Sequence, residues 1–203
     1  DEHRVGTVIH VAIDGEYAGH IVINDQVKED SQEAIDGLTR LGVKKTVMLT
    51  GDRREVAENV AKELHLTEYH AELLPANKVA HIERLLQEKA EGEYLAFVGD
   101  GINDAPALSA SDVGIAIEGS SSIASDTADI VLTEGGLNNV ALTRKLGQGL
   151  LEKISENNLF IIELNSALLL LGVMGLISPQ LAAILHNSAT VAISVKAMQP
   201  ILK

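Results

Sequence analysis

The sequence predicts an α/β fold: a parallel sheet covered on both faces, preceded by a β-hairpin and followed by a pair of apolar helices. Three observations carry this reading. Between Gln32 and Leu132, short apolar runs alternate with stretches of helical period, the pattern of strands joined by crossover helices. Ahead of them, two β-patterned runs flank Asp14-Gly15, a hairpin turn signal. Behind them, Leu159 to Met198 holds only Glu163, His186 and Lys196 as titratable side chains.

Taken in order, Val5 to Ile13 and Tyr17 to Asn24 form the hairpin. Ala34, Ile35, Leu38 and Leu41 then recur at helical spacing, and Gly42 follows as a C-cap glycine should. The strand Lys45 to Thr50 comes next. Val56, Val60 and Leu64 mark a second helix. Val79, Ile82, Leu85 and Leu86 mark a third, opened by Pro75. The apolar run Tyr94 to Val98 is a buried strand, followed by a short helix after Asn103 and the strand Val113 to Ile117. Ser120 to Ala128 is helical, and Ile130 to Leu132 is a last short strand. Ligands of parallel sheets sit at the carboxyl ends of the strands. Thr50 and Asp100 fall at such ends, and Lys78, near the start of its helix, could join them.

The apolar segment is divided at Ser178-Pro179 into two stretches of about 20 residues, the length that spans a bilayer. Ser178 is placed as a cap and Pro179 as the first helical residue, and Pro200 ends the second stretch. Arg144, Lys145 and Lys153 precede the pair, Lys203 follows it, and the connection is uncharged. The positive-inside rule then puts both ends in the cytoplasm, giving a membrane hairpin. A buried helical hairpin in a soluble protein is the alternative. With 29 acidic against 16 basic side chains and a net charge of −13, the chain lacks the basic face that nucleic acid needs. It has no cysteine, which excludes disulfides and thiolate metal sites.

The densest chemical signal is Val98-Gly99-Asp100-Gly101-Ile102-Asn103-Asp104-Ala105-Pro106-Ala107-Leu108. Asp100 and Asp104 are hard oxygen ligands suited to Mg²⁺, and the glycines let a ligand approach the backbone. A magnesium site beside a phosphate fits this string; an acidic turn capping a helix is the alternative.

This string resembles the last motif of the haloacid-dehalogenase-like phosphohydrolases, in the version carried by P-type cation-transporting ATPases. Met48-Leu49-Thr50-Gly51-Asp52 resembles that family's strand-end threonine motif, and Leu74-Pro75-Ala76-Asn77-Lys78 the segment with its phosphate-binding lysine. Ala110-Ser111-Asp112-Val113-Gly114-Ile115-Ala116-Ile117 and Ala128-Asp129-Ile130-Val131-Leu132 continue the match. The apolar pair resembles the last two membrane helices of the heavy-metal branch. The family's nucleophile lies in an Asp-Lys-Thr-Gly-Thr sequence, which does not occur here. The chain therefore resembles the C-terminal part of such a transporter, with the nucleophile and most ATP contacts in a missing N-terminal part of the same polypeptide.

The resemblance implies an incomplete haloacid-dehalogenase-like Rossmannoid parallel sheet and four regions. Residues 1–31 would be the end of the nucleotide-binding domain and its hinge, 32–140 the C-terminal part of the phosphorylation domain, 141–158 a cytoplasmic linker helix, and 159–203 two transmembrane helices. It implies ATP as substrate and Mg²⁺ as cofactor. Thr50 would donate to a phosphoryl oxygen, Lys78 would neutralise the same oxygens and Asn103 would bond the phosphoryl group. Gly51 and Gly101 would permit close approach. Asp100 would ligate Mg²⁺, with Asp104 supporting the metal or orienting the loop. Asp52 reads instead as a helix cap. The implied location is the plasma membrane, with the phosphorylation domain and C-terminus cytoplasmic.

Polar groups within a bilayer tend to face the protein interior and mark a pathway. Asn165, His186 and Thr190 are therefore candidates for the path of the transported ion; His186 and Thr190 share a helix face. Small polar residues also serve simply as interhelical hydrogen-bond partners. Copper-transporting members carry Tyr-Asn and a Met with two Ser at the places held here by Leu164-Asn165 and His186-Asn187-Ser188-Ala189-Thr190. Imidazole with oxygen ligands suits a divalent transition-metal ion such as Mn, Fe, Co, Ni or Zn. His3, His10, His20, His65, His70 and His81 are scattered without metal-site spacing along a helix and read as surface or structural residues. Two other functions stay in view: a soluble phosphatase of the same superfamily, which would need an Asp-x-Asp before Thr50, and a non-catalytic membrane regulator.

Overall fold

A computed structural model of the chain describes residues 7–23 and 27–201. Val5, Asn24 and part of the expected hinge from Asp25 to Ser31 lie outside the described residues. The chain divides into two units, Asp1–Ala141 and Leu142–Lys203.

In the first unit, β1 (Thr7–Ile13) and β2 (Glu16–Ile23) form the expected antiparallel hairpin. Its turn residues Asp14 and Gly15 have φ of 52° and 85°, the left-handed pair that a two-residue hairpin turn requires. Helix α1 (Ser31–Arg40) ends where Gly42, at φ 85°, turns the chain; the Gly42 and Val43 amides bond back to the carbonyls of Thr39 and Leu38. The strand β3 (Val47–Leu49), helix α2 (Arg54–Glu63), strand β4 (Glu68–His70) and helix α3 (Pro75–Glu88) follow. Then come β5 (Ala96–Gly99), a single 3-10 turn over Ile102–Asp104, α4 (Ala105–Ala110), β6 (Val113–Ala116), α5 (Ser122–Thr127) and β7 (Ile130–Val131).

Every crossover pair is parallel: β3 with β4, β5 with β6, and β6 with β7. Among the described residues these make two ladders, β3-β4 and β5-β6-β7, rather than one continuous sheet. The core is aliphatic. Ile82 of α3 and Leu108 of α4 are the largest side chains sealed from solvent, and Ala57, Ala61, Ala116 and Ala124 are buried as well. Burying a side chain the size of Ile82 or Leu108 is worth about 1.5–3 kcal/mol. Two glycines are dictated by packing. A Cβ on Gly114 would lie 2.7 Å from the Leu108 carbonyl oxygen, and one on Gly99 would lie 2.8 Å from the Asp104 Cβ. Gly114 thus lets β6 slide under α4, and Gly99 lets β5 end against the acidic loop.

In the second unit, the stretch expected as a linker and the first apolar stretch are consecutive turns of one helix, α6 (Gly136–Val173, 38 residues). It ends earlier than Ser178, at a turn where Gly175 takes φ 71°. Helix α7 (Pro179–Ala197) starts as expected, with the Ser178 hydroxyl accepting from the Leu181 amide at 3.2 Å. Among the described residues, α6 alone is long and apolar enough to cross a membrane by length and composition. Helix α7 is held back by Gln180, His186, Asn187 and Lys196. None of its residues is buried, and among the described residues of this unit Leu168 of α6 is the one buried apolar side chain, so the exposed surface of both helices is dominated by Leu, Ile and Val.

Candidate active site

The strand ends build the site. Thr50 follows β3, and its backbone is pinned twice: its amide donates to the His70 carbonyl at 2.9 Å and its carbonyl accepts from Leu73 at 3.0 Å. The second bond ties Thr50 to the entry of α3. That helix begins with Pro75, and Asn77 Oδ1 accepts from the Leu74 amide at 3.1 Å, so the first turn is capped without Ser or Asp. Lys78 sits one turn in and reaches across to the N-cap of α4: its Nζ donates to Asp104 Oδ1 at 2.8 Å. The pair is well shielded, with side chains 18% and 12% exposed. The other Asp104 oxygen accepts from the Gly101 amide at 3.4 Å, which closes the loop on itself.

Asp100 and Asn103 stand exposed on the same loop with no side-chain hydrogen bond or ion pair among the described residues. Of the expected set, the fold therefore joins Lys78, Asp104 and Gly101 directly and leaves the Asp100 and Asn103 side chains exposed. No hydrogen bond links the Thr50 side chain to Lys78, Asp100 or Asn103. The Thr50 hydroxyl instead donates to Asp52 Oδ2 at 2.7 Å and accepts from the Asp52 amide at 3.1 Å. This corrects the cap expected of Asp52: the N-cap of α2 is Arg53, which makes no side-chain cap bond. A carboxylate two residues from a strand-end hydroxyl found a nearer donor than the helix amides. Gly51 and Gly101 are open, the nearest atom to a Cβ on Gly51 being the Leu73 oxygen at an ordinary 3.4 Å, so protein packing does not demand glycine at either.

A second cluster, missed from the sequence, lies behind the Thr50 strand. Glu68 takes Lys45 Nζ at 2.5 Å on one oxygen and Arg84 Nη2 at 2.9 Å on the other, which also contacts His70 Nε2. The Lys45 bond first, then that from His70, holds the Glu68 carboxyl down to about 2. His81 of α3 lies against the His70 ring with centroids 4.1 Å apart. Burial is the main cause that lowers the His81 pKa, with His70 and Arg84 adding to it, and its Nδ1 is buried without a partner. Strand β4 was missed because three residues carry too little pattern. With it went the only cue that Glu68 and His70, two apart on a strand, share a face.

In the second unit, Asn165 Oδ1 and His186 Nδ1 are 2.8 Å apart. They face an open groove of about 530 Å³ lined also by Leu168, Gly172 and Ala183. The Thr190 hydroxyl donates to the His186 carbonyl at 3.0 Å, a bond back along its own helix.

Thr50 and the exposed carboxylate of Asp100 thus follow the carboxyl ends of parallel strands, with Lys78 in the first turns of α3. Residues 2–112 match the haloacid dehalogenase-like hydrolase family, and the chain belongs to it. Its relatives there are metal-transporting P-type ATPases. The zinc-transporting ATPase of Synechocystis sp. is 45% identical over 172 residues, 84% of this chain and 24% of that protein. The manganese-exporting P-type ATPase of Mycobacterium leprae is 40% identical over 192 residues, 94% of this chain and 26% of that protein. The crystal structure of a zinc-transporting PIB-type ATPase in its E2·Pi state superposes with a TM-score of 0.84 at 35% identity, covering 98% of this chain and 32% of that one. The chain thus spans about a quarter of the length of the curated relatives it matches.

Proposed function

We propose that this chain is the C-terminal part of an ATP-driven transition-metal pump, contributing most of a phosphorylation domain and a membrane hairpin. The observation that carries the reading is the shielded Lys78–Asp104 pair beside two unpartnered polar side chains, Asp100 and Asn103. Phosphoryl transfer needs charge neutralisation and alignment more than covalent help from the protein. Lys78, held in place by Asp104, presents its ammonium to the phosphoryl oxygens. Thr50 turns its hydroxyl from Asp52 to the same group, and the Asn103 amide donates to it. Asp100 fits Mg²⁺: it is a free carboxylate at a strand end, and two open glycines let the ion's ligands approach. Asp104, already paired with Lys78, would orient the loop that carries Asp100. Bound there, Mg²⁺ would neutralise phosphate charge.

We assign residues 1–31 to a nucleotide-binding domain, 32–140 to the phosphorylation domain, 141–158 to a linker and 159–203 to a bilayer. The ATP contacts and nucleophile come from the missing part of the polypeptide. The location is a cell membrane, with the phosphorylation domain cytoplasmic. The cargo is a divalent transition-metal ion. Asn165 Oδ1 can only accept, so His186 Nδ1 donates to it and Nε2 keeps its lone pair for the ion. Thr190, its hydrogen engaged, offers an oxygen.

The test is phosphoenzyme formation from labelled ATP and Mg²⁺ by the intact pump. Asp100→Ala and Lys78→Ala are each expected to slow it by about 10²–10³, the usual cost of losing a main electrostatic contact. Wild-type rates in both variants, at equal protein levels, overturn the assignment.

A further inference from the structure

The β1–β2 hairpin carries a feature that the phosphoryl site does not use. His10 and His20 are direct cross-strand partners in the antiparallel register. Both are exposed, and their ring centroids lie 6.3 Å apart at an interplanar angle of 54°. Tyr17 stands on the same face: its hydroxyl is 3.0 Å from His20 Nδ1, and its ring centroid is 5.8 Å from that of His10. Nothing in the spacing of ten residues along the chain announces this; only the strand register brings the two imidazoles together.

We infer that His10 and His20 form a two-imidazole surface site for a borderline divalent transition-metal ion such as Zn²⁺, Ni²⁺ or Cu²⁺, oriented by Tyr17. Directly opposed residues on antiparallel strands hold their Cβ atoms about 4.5–5.5 Å apart, a span two imidazoles can close around one ion. With a metal–nitrogen distance of about 2.0–2.1 Å, each ring centre would sit roughly 3.2 Å from the ion, so two rings on a tetrahedral ion lie about 5 Å apart. The rings must close by about 1 Å from their present 6.3 Å separation, which a small side-chain rotation supplies because both are exposed. Tyr17 fixes which nitrogen binds. A hydroxyl accepting from His20 Nδ1–H leaves Nε2 as the metal-binding atom, the outer-shell arrangement that metal-ligating histidines use. Among the described residues no group of three His, Cys, Asp or Glu side chains is placed to hold a metal, so water completes the coordination here. Imidazole ligation selects against Mg²⁺, which demands oxygen. This site is therefore chemically distinct from Asp100 and is independent of the pump assignment.

The test is calorimetric titration of the detergent-solubilised chain with Zn²⁺ and Ni²⁺, in the presence of excess Mg²⁺. Comparison is made with His10→Ala, His20→Gln, Tyr17→Phe and His186→Ala, each checked for unchanged circular dichroism. A saturable equivalent that survives in His186→Ala is expected, weakened at least about tenfold by either hairpin histidine substitution and by about tenfold in Tyr17→Phe. Ni²⁺ is also expected to broaden the amide resonances of Ala12 and Ile21, next to the pair. Wild-type titration in both His10→Ala and His20→Gln, loss of the equivalent in His186→Ala alone, or full competition by Mg²⁺ each overturns the proposal.

Discussion

Replacing Lys78 by Ala tests the Lys78–Asp104 pair apart from any chemistry it serves. The bond is 2.8 Å long, and the two side chains are 18% and 12% exposed, so this is a shielded pair rather than a surface one. An exposed pair contributes about 0–1 kcal/mol. Removing one partner of a buried pair costs about 3–5 kcal/mol, because the other charge is left without compensation. The residual exposure of Lys78 admits some water to Asp104, which places the expected cost at the lower end, about 2–3 kcal/mol. At 1.4 kcal/mol per tenfold, that is roughly 30- to 150-fold. The cost falls where Asp104 is anchored, on the loop after β5 and on α4 and β6. Hydrogen exchange of the detergent-solubilised chain, read on peptides covering 100–116, is therefore expected to accelerate by that factor in Lys78→Ala, with the hairpin peptides unchanged. The double variant Lys78→Met with Asp104→Leu recovers most of the protection, since no charge is then stranded. Acceleration below about threefold in Lys78→Ala would mean a pair of surface strength and would refute the reasoning.

Gly114→Ala drives a methyl to 2.7 Å from the Leu108 carbonyl oxygen, so a loss of about 1–3 kcal/mol is expected, read as faster proteolysis within α4–β6; Gly51→Ala, which meets only the Leu73 oxygen at an ordinary 3.4 Å, leaves stability unchanged. Acid weakens the first unit in two stages. His81 is held neutral by burial, its folded value lying below its ordinary 6.5, so its contribution is complete above that pH and fades as pH falls through it. Glu68, lowered from 4.5 to about 2, contributes fully above 4.5 and fades toward 2. Thermal midpoints measured against pH are expected to lose the upper stage in His81→Gln and the lower in Glu68→Gln. For the ion path, His186→Ala in the reconstituted pump is expected to abolish stimulation of ATP hydrolysis by Zn²⁺, Mn²⁺ and Co²⁺, while Asn165→Ala weakens it about 10- to 100-fold as an orienting partner is lost. Best stimulation by Cu⁺, or intact responses in His186→Ala, count against that role.

Much of the fold was legible because punctuation and period agreed. Asp14-Gly15, Gly42, Pro75 and Ser178-Pro179 each mark a boundary that the structure places within a residue or two. The α4 loop was legible because its residues act locally, and Lys78 was legible only through its resemblance to a motif. What was hidden depends on register or on competition between donors. Strand β4 is too short to show a period, so Glu68, His70 and His81 looked unrelated. Asp52 looked like a cap because capping is the commonest use of an Asp before a helix, yet the Thr50 hydroxyl was closer. His10 and His20 looked scattered because only the hairpin pairs them.

The Thr50–Asp52 bond is an internal stand-in for the contact proposed between Thr50 and a phosphoryl group. The threonine proton is already spoken for by an internal anion at 2.7 Å, so an incoming ligand gains only the difference between its own basicity and that of a solvated carboxylate. A singly charged or neutral guest gains almost nothing by that exchange. On the proposed function, a phosphoryl group, with more charge on its oxygens, displaces Asp52 and sends the freed carboxylate back into water. On that same function, the motif's acidic residue then works as a threshold that favours a phosphoryl group over chloride, carboxylates and alcohols.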